Sequence, residues 1–132
     1  MTNRHHCIIC LGSNYEASAH MEKACKILDK IFTAIQWGEV IETPSEGGVD
    51  KGNYLNRGAI LVTDKNPNQI RKDFKTIDSQ LGRTEEGKKA GIVPIDIDLL
   101  KVDGAIIKPA DFNKNYVQRV LKSLPHGNGK IH

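Results

Sequence analysis

Residues Pro94-Ile95-Asp96-Ile97-Asp98-Leu99-Leu100 alternate between apolar and acidic side chains and close on two leucines. A period of two is the mark of a β-strand with one face buried. Successive side chains on a strand point to opposite faces, so Ile95, Ile97 and Leu99 turn to a core while Asp96 and Asp98 project together from the other side. Two such carboxylates stand roughly 6–7 Å apart, able to hold one Mg²⁺ or to bridge two. Without a cation they repel. The plainer alternative is a half-exposed strand with two solvated aspartates.

Downstream, Asp103-Gly104 forms a tight turn and Ala105–Ile107 returns as a short hairpin partner. Phe112–Leu124 predicts a helix with Tyr116, Val117, Val120, Leu121 and Leu124 on one side. The stretch 125–132 reads as a disordered tail beyond a single domain over 1–124. Upstream, Arg83–Pro94 has no apolar pattern and reads as a loop carrying Arg83, Lys88 and Lys89. A basic loop beside a carboxylate pair is the partner set expected for a nucleoside triphosphate. An ordinary surface loop has the same composition.

Before it, Asn66 caps a helix with Pro67 at its first position and Gln69 in the place of a capping-box partner. Ile70, Phe74, Ile77 and Leu81 form its apolar stripe, and Gly82 ends it. Tyr54–Thr63 and Trp37–Glu42 read as strands, separated by the glycine-rich loop Ser45–Asn53. Ala17–Gln36 carries Met21, Ala24, Cys25, Leu28, Ile31, Phe32 and Ile35 at helical spacing. Cys7–Leu11 is a short apolar run before the turn Gly12-Ser13-Asn14, the pattern of a strand buried on both faces. Cys7 and Cys10 lie three apart on that strand and face opposite sides, so they cannot share one ion. The resulting order, βαββαβ plus a final helix, predicts an α+β fold of ferredoxin-like type, an antiparallel sheet with helices on one face.

The chain has 132 residues, with 39% apolar and 27% charged side chains. Nineteen basic residues against sixteen acidic ones give a net charge of +3, too mild for a purely electrostatic nucleic-acid binder. Aromatic residues are 5%, too few for a base-stacking platform. Three cysteines suggest no disulfide framework and a reducing, cytoplasmic setting. No apolar run approaches the length of a membrane span, so neither nucleic acid nor membrane is an expected partner.

Five pieces in order carry a resemblance: Leu11-Gly12-Ser13-Asn14, Glu42-Thr43-Pro44, Asn53-Tyr54-Leu55-Asn56, Leu81-Gly82-Arg83 and Pro94–Leu100. Together they resemble the 6-hydroxymethyl-7,8-dihydropterin pyrophosphokinases of folate biosynthesis. The resemblance implies transfer of diphosphate from ATP to the pterin hydroxymethyl group with release of AMP. It implies Asp96 and Asp98 as ligands of two Mg²⁺ ions, with Arg83 beside them as a third catalytic residue. It implies a nucleotide side formed by Asp78, Arg83, Lys88, Lys89 and Leu99. The pterin side would be Thr43, Pro44, Tyr54 and Asn56. The loops Ser45–Asn53 and Thr84–Val93 would close over small-molecule substrates, in a monomer or weak dimer. The sequence also departs from that pattern. Ala90 stands where the family has a tryptophan, Val93 and Glu85 stand where it has arginines, and Pro109-Ala110 lacks its histidine. The second reading is therefore a relative that binds a pterin or a nucleotide without turning it over.

Overall fold

The computed structural model describes residues 4–44 and 53–125. Most of the glycine-rich loop and nearly all of the tail expected from the sequence lie outside these residues. The chain runs β1 (His5–Ser13), α1 (Ala17–Ile31), β2 (Ala34–Pro44), β3 (Asn53–Thr63), α2 (Pro67–Gln80), α3 (Glu85–Lys89), β4 (Asp96–Val102), β5 (Ala105–Ile106), α4 (Pro109–Phe112) and α5 (Asn115–Lys122). The strands form one five-stranded sheet in the order β2-β3-β1-β4-β5, with every neighbouring pair antiparallel. The fold is thus α+β, with β3 inserted between β1 and β2, and β1 between β3 and β4.

Strand parity sorts the core into two parts. Cys7, Ile9, Leu11, Ala59, Leu61, Ile97 and Leu99 face α1 and α2, where Met21, Leu28, Ile70, Phe74 and Ile77 close over them. Cys10 and Leu100 face the opposite way and pack with Val117 and Val120 of α5. So β1 is buried on both faces, and Cys7 and Cys10 fall in different cores. The helices are divided between the two faces.

Local chemistry explains most element ends. Asn66 accepts a hydrogen bond from the Gln69 amide at 2.9 Å and caps α2. The Gln69 side chain does not complete a capping box; it donates to Asp73. Gly82 has φ 106° and stops that helix. Asp103 and Gly104 both have positive φ, 50° and 87°, and close the β4–β5 hairpin.

Three expectations need correction. Helix α1 ends at Ile31, and Ala34–Trp37 belong to β2. Ile35 packs against the same core as the helix stripe, so helical and strand spacing both bury it. The stretch read wholly as loop contains α3, capped by Thr84 Oγ1 accepting from the Gly87 amide at 2.9 Å. Its acids Glu85 and Glu86 sit in the first turn and Lys88 and Lys89 in the last, where the helix dipole favours each. It has no buried residue, so no apolar periodicity announced it. The last helix is broken by Asn113 and Lys114 into α4 and α5.

Candidate active site

The site lies on the sheet face that carries α5. Register places Asn56 of β3, Gly12 of β1 and Asp96 of β4 in one row across three strands. One row along, Gly58, Cys10 and Asp98 are aligned in the same way. Gly12 leaves the middle of the first row without a side chain. A Cβ there would stand 3.1 Å from Asn56 Oδ1, so glycine opens a trough between the amide and the carboxylate.

This trough is the floor of a cleft of about 310 Å³. Its walls bring together Thr43, Tyr54, Asn56, Arg83, Lys88, Asp96 and Asp98. On one side, buried Asn56 donates from Nδ2 to Thr43 Oγ1 at 2.5 Å, while Tyr54 pairs with Thr43 across β2 and β3. Burial, and then the charge of Asp96, raise the pKa of Tyr54 and keep it a neutral phenol.

The other side is ionic. Arg83 donates to Asp96 Oδ1, and the same nitrogen lies 3.6 Å from Asp78 Oδ2. Burial opposes its charge, but Asp96, Asp78 and Asp98 together outweigh that and hold the guanidinium charged. Lys108 donates to Asp98 Oδ1 at 2.7 Å. Even so, burial, with repulsion from Asp96, holds the Asp98 carboxyl above the usual range. Asp78 is 2% exposed, and its Oδ1 accepts from the Ile97 amide at 3.1 Å. Its pKa is raised to about 7 by burial and by Asp96, with Arg83 pulling the other way.

Several expected residues sit elsewhere. Pro44 is exposed at the end of β2, and Lys89 is exposed on α3, neither on the cleft wall. The Leu99 side chain is buried under the helices on the far face, so only its backbone is near the cleft. Asp78 lies behind the wall and reaches it through Arg83.

The cleft also takes residues that sequence reasoning did not single out as site residues: Cys10, Gly12, Gly91, Lys114 and Tyr116. Strand parity and antiparallel pairing could have found Cys10 and Gly12. Lys114 and Tyr116 depend on where α5 docks. Val93 presents apolar surface to the cleft. Its segment is tied to the end of β1. Asn14 Nδ2 donates to the Gly91 carbonyl, Asn14 Oδ1 accepts from the Val93 amide, and the Asn14 amide donates to the Val93 carbonyl, at 2.7, 2.7 and 2.9 Å.

Compared with known families, residues 8–128 match the family described as 7,8-dihydro-6-hydroxymethylpterin-pyrophosphokinase. The chain belongs to this family. Its members are pterin pyrophosphokinases of folate biosynthesis, acting on small molecules. A search of curated proteins returns no match. Among the described residues, no helix is long and apolar enough to cross a membrane.

The family's use of ATP and Mg²⁺ can be set against the donors in the cleft. Asp96 and Asp98 present hard carboxylate oxygens from one strand face, the ligand type Mg²⁺ prefers. Among the described residues no three His, Cys, Asp or Glu side chains converge on a metal position. Two carboxylates completed by phosphate oxygens and water is the usual way a protein holds Mg²⁺ on a nucleotide, so the residues fit.

Proposed function

We propose that this protein transfers the terminal diphosphate of ATP to 6-hydroxymethyl-7,8-dihydropterin in a Mg²⁺-dependent reaction that releases AMP. The observation that carries this reading is the row Asn56–Gly12–Asp96, which sets an amide for a heterocycle beside a carboxylate for a metallated phosphate. Family membership supplies the identity of both substrates.

In this reading Asn56 and Thr43 hydrogen-bond the pterin edge and Tyr54 packs on it. The pterin hydroxyl oxygen forms a bond to the β-phosphorus. The bond from that phosphorus to the oxygen bridging to the α-phosphate breaks, AMP leaves with the electron pair, and the hydroxyl proton passes to solvent. Asp96 and Asp98 would hold two Mg²⁺ ions. When bound, the ions supply charge neutralisation and orientation for the phosphates. Arg83 and Lys88 add cationic donors on the same wall. Positioning and electrostatics carry the rate, as in other phosphoryl transfers. The three described cysteines are free thiols, which supports a reducing, cytoplasmic setting.

One observation favours the second reading, a binder without turnover. Val93 presents an apolar side chain where the family pattern places an arginine. Loss of a preorganised cation costs several kcal/mol in a charged transition state. AMP release from Mg²⁺-ATP, with and without the pterin, separates the two. Pterin-dependent AMP is expected. It should fall on the order of a thousandfold in Asp96→Asn, about 4 kcal/mol of transition-state stabilisation. No AMP from a folded wild-type sample that still binds the pterin would select the binder.

A further inference from the structure

The carboxylate pair in the cleft is already neutralised from within the chain. Arg83 holds Asp96, and Lys108 holds Asp98 at 2.7 Å. The two cations are anchored differently. Arg83 is also braced by Asp78 at 3.6 Å. Lys108 reaches Asp98 from the end of the β4–β5 hairpin and does not line the cleft. The hairpin register pairs Val102 with Ala105 and Lys101 with Ile106, and the Ile107 amide donates to the Leu100 carbonyl at 2.8 Å. The next residue, Lys108, is thereby set beside Asp98, with its side chain 35% exposed and that of Asp98 20% exposed. A partly buried lysine–carboxylate bond is among the stronger polar contacts a protein makes, yet lysine's four-carbon stem lets the ammonium move without the backbone.

We propose that Lys108 is a positioning residue, the resident counter-ion of Asp98, which a metal–nucleotide complex displaces and a bare divalent cation displaces poorly. This rests on the reading of Asp96 and Asp98 as metal ligands, and adds an order to their loading. A cation arriving alone must break the Lys108–Asp98 bond and leave the ammonium beside it, a like-charge contact. A cation arriving with phosphates brings Lys108 a new anionic partner as it takes Asp98. Metal and nucleotide therefore bind with positive coupling, which is reciprocal by linkage.

Mn²⁺ counted by electron paramagnetic resonance tests this on the full chain, with and without the non-hydrolysable α,β-methylene analogue of ATP. Lys108→Gln should bind Mn²⁺ alone on the order of tenfold more tightly than the wild type, and gain less from the analogue. Lys108→Arg keeps the charge and should restore the wild-type pattern. A residue that only braced the hairpin would not improve metal binding when removed. Unchanged or weaker binding of Mn²⁺ alone by Lys108→Gln, with Mn²⁺ and analogue still binding the wild type together, overturns the Lys108 proposal only. Failure of all three proteins to bind Mn²⁺ even with the analogue overturns the metal reading beneath it.

Discussion

The two faces of the sheet are made by the same strands and differ in what they are asked to do. On the α1/α2 face, β1 and β4 contribute Ile9, Leu11, Ile97 and Leu99, all buried. On the α5 face the intervening positions are Cys10, Gly12, Asp96 and Asp98. Among the described residues, the eight-residue helix α5, with Phe112 of α4 beside it, covers part of that face, and the cleft lies alongside. The first face supplies the apolar burial that makes folding favourable. The second can then carry two neighbouring carboxylates and a strand glycine, which would weaken a sheet left to itself.

This contrast can be broken most severely on the first face. Phe74 is 1% exposed and packs edge-on against Phe32, with ring centroids 6.3 Å apart. Phe74→Ala should cost about 3–5 kcal/mol, enough to threaten a domain of ordinary stability. Val120, equally buried on the other face, should cost about 2 kcal/mol as Val120→Ala. Urea unfolding curves of the two variants check the ranking. Equal losses per carbon removed would mean that α5 packs on its face as effectively as α1 and α2 do on theirs.

The faces also differ in how openly the sequence declares them. Apolar–acidic alternation at 95–99 assigns Ile97 and Leu99 to one face and Asp96 and Asp98 to the other, because strand geometry leaves no choice. The same parity separates Cys7 from Cys10. Thr43, Tyr54 and Asn56, the trio proposed for the pterin, became legible through the family resemblance, and pairing of β2 with β3 brings them together at the cleft. Lys108, ten residues from Asp98, was invisible because it meets its partner only once a hairpin closes. Lys114 was unread, and Tyr116 was read only as part of a helix's apolar side, for a similar reason: their place on the cleft wall depends on the docking of α5, which is a tertiary fact. Helix α3 had no apolar stripe to reveal it.

Asp78 joins the two faces. It belongs to α2, yet its carboxylate supports the backbone of β4 at Ile97 and meets Arg83. Its Oδ2 has no hydrogen-bond partner among the described residues. With the folded pKa raised from 3.8 to about 7, the native state keeps a proton that the unfolded chain releases. Stability from this group is therefore greatest below pH 4 and is lost as pH rises towards 7. Asp78→Asn should remove that slope and raise stability near neutral pH by about 2–4 kcal/mol in the absence of nucleotide and metal. Urea midpoints from pH 4.5 to 8 provide the measurement. A parallel slope in the variant would show that Asp78 is already ionised in the native protein and that Arg83 outweighs its burial.

Gly58 and Ala59 give the smallest and sharpest form of the comparison, because they are neighbours on β3 that face opposite ways. Ala59 is fully buried beneath α1 and α2 and tolerates its methyl group. A methyl on Gly58 would stand 2.6 Å from Val120 Cγ1 and 3.1 Å from Leu124 Cδ2, so α5 is seated against bare backbone. Gly58→Ala should therefore push α5 outward and cost about 1–3 kcal/mol, offset in part by the lost freedom of the unfolded chain. The displacement is confined to one face. Amide exchange should quicken in α5 while α1 and α2 keep their protection. Uniform loss of protection across both faces would mean that they fold as one cooperative unit, and that the division of labour between them is chemical rather than energetic.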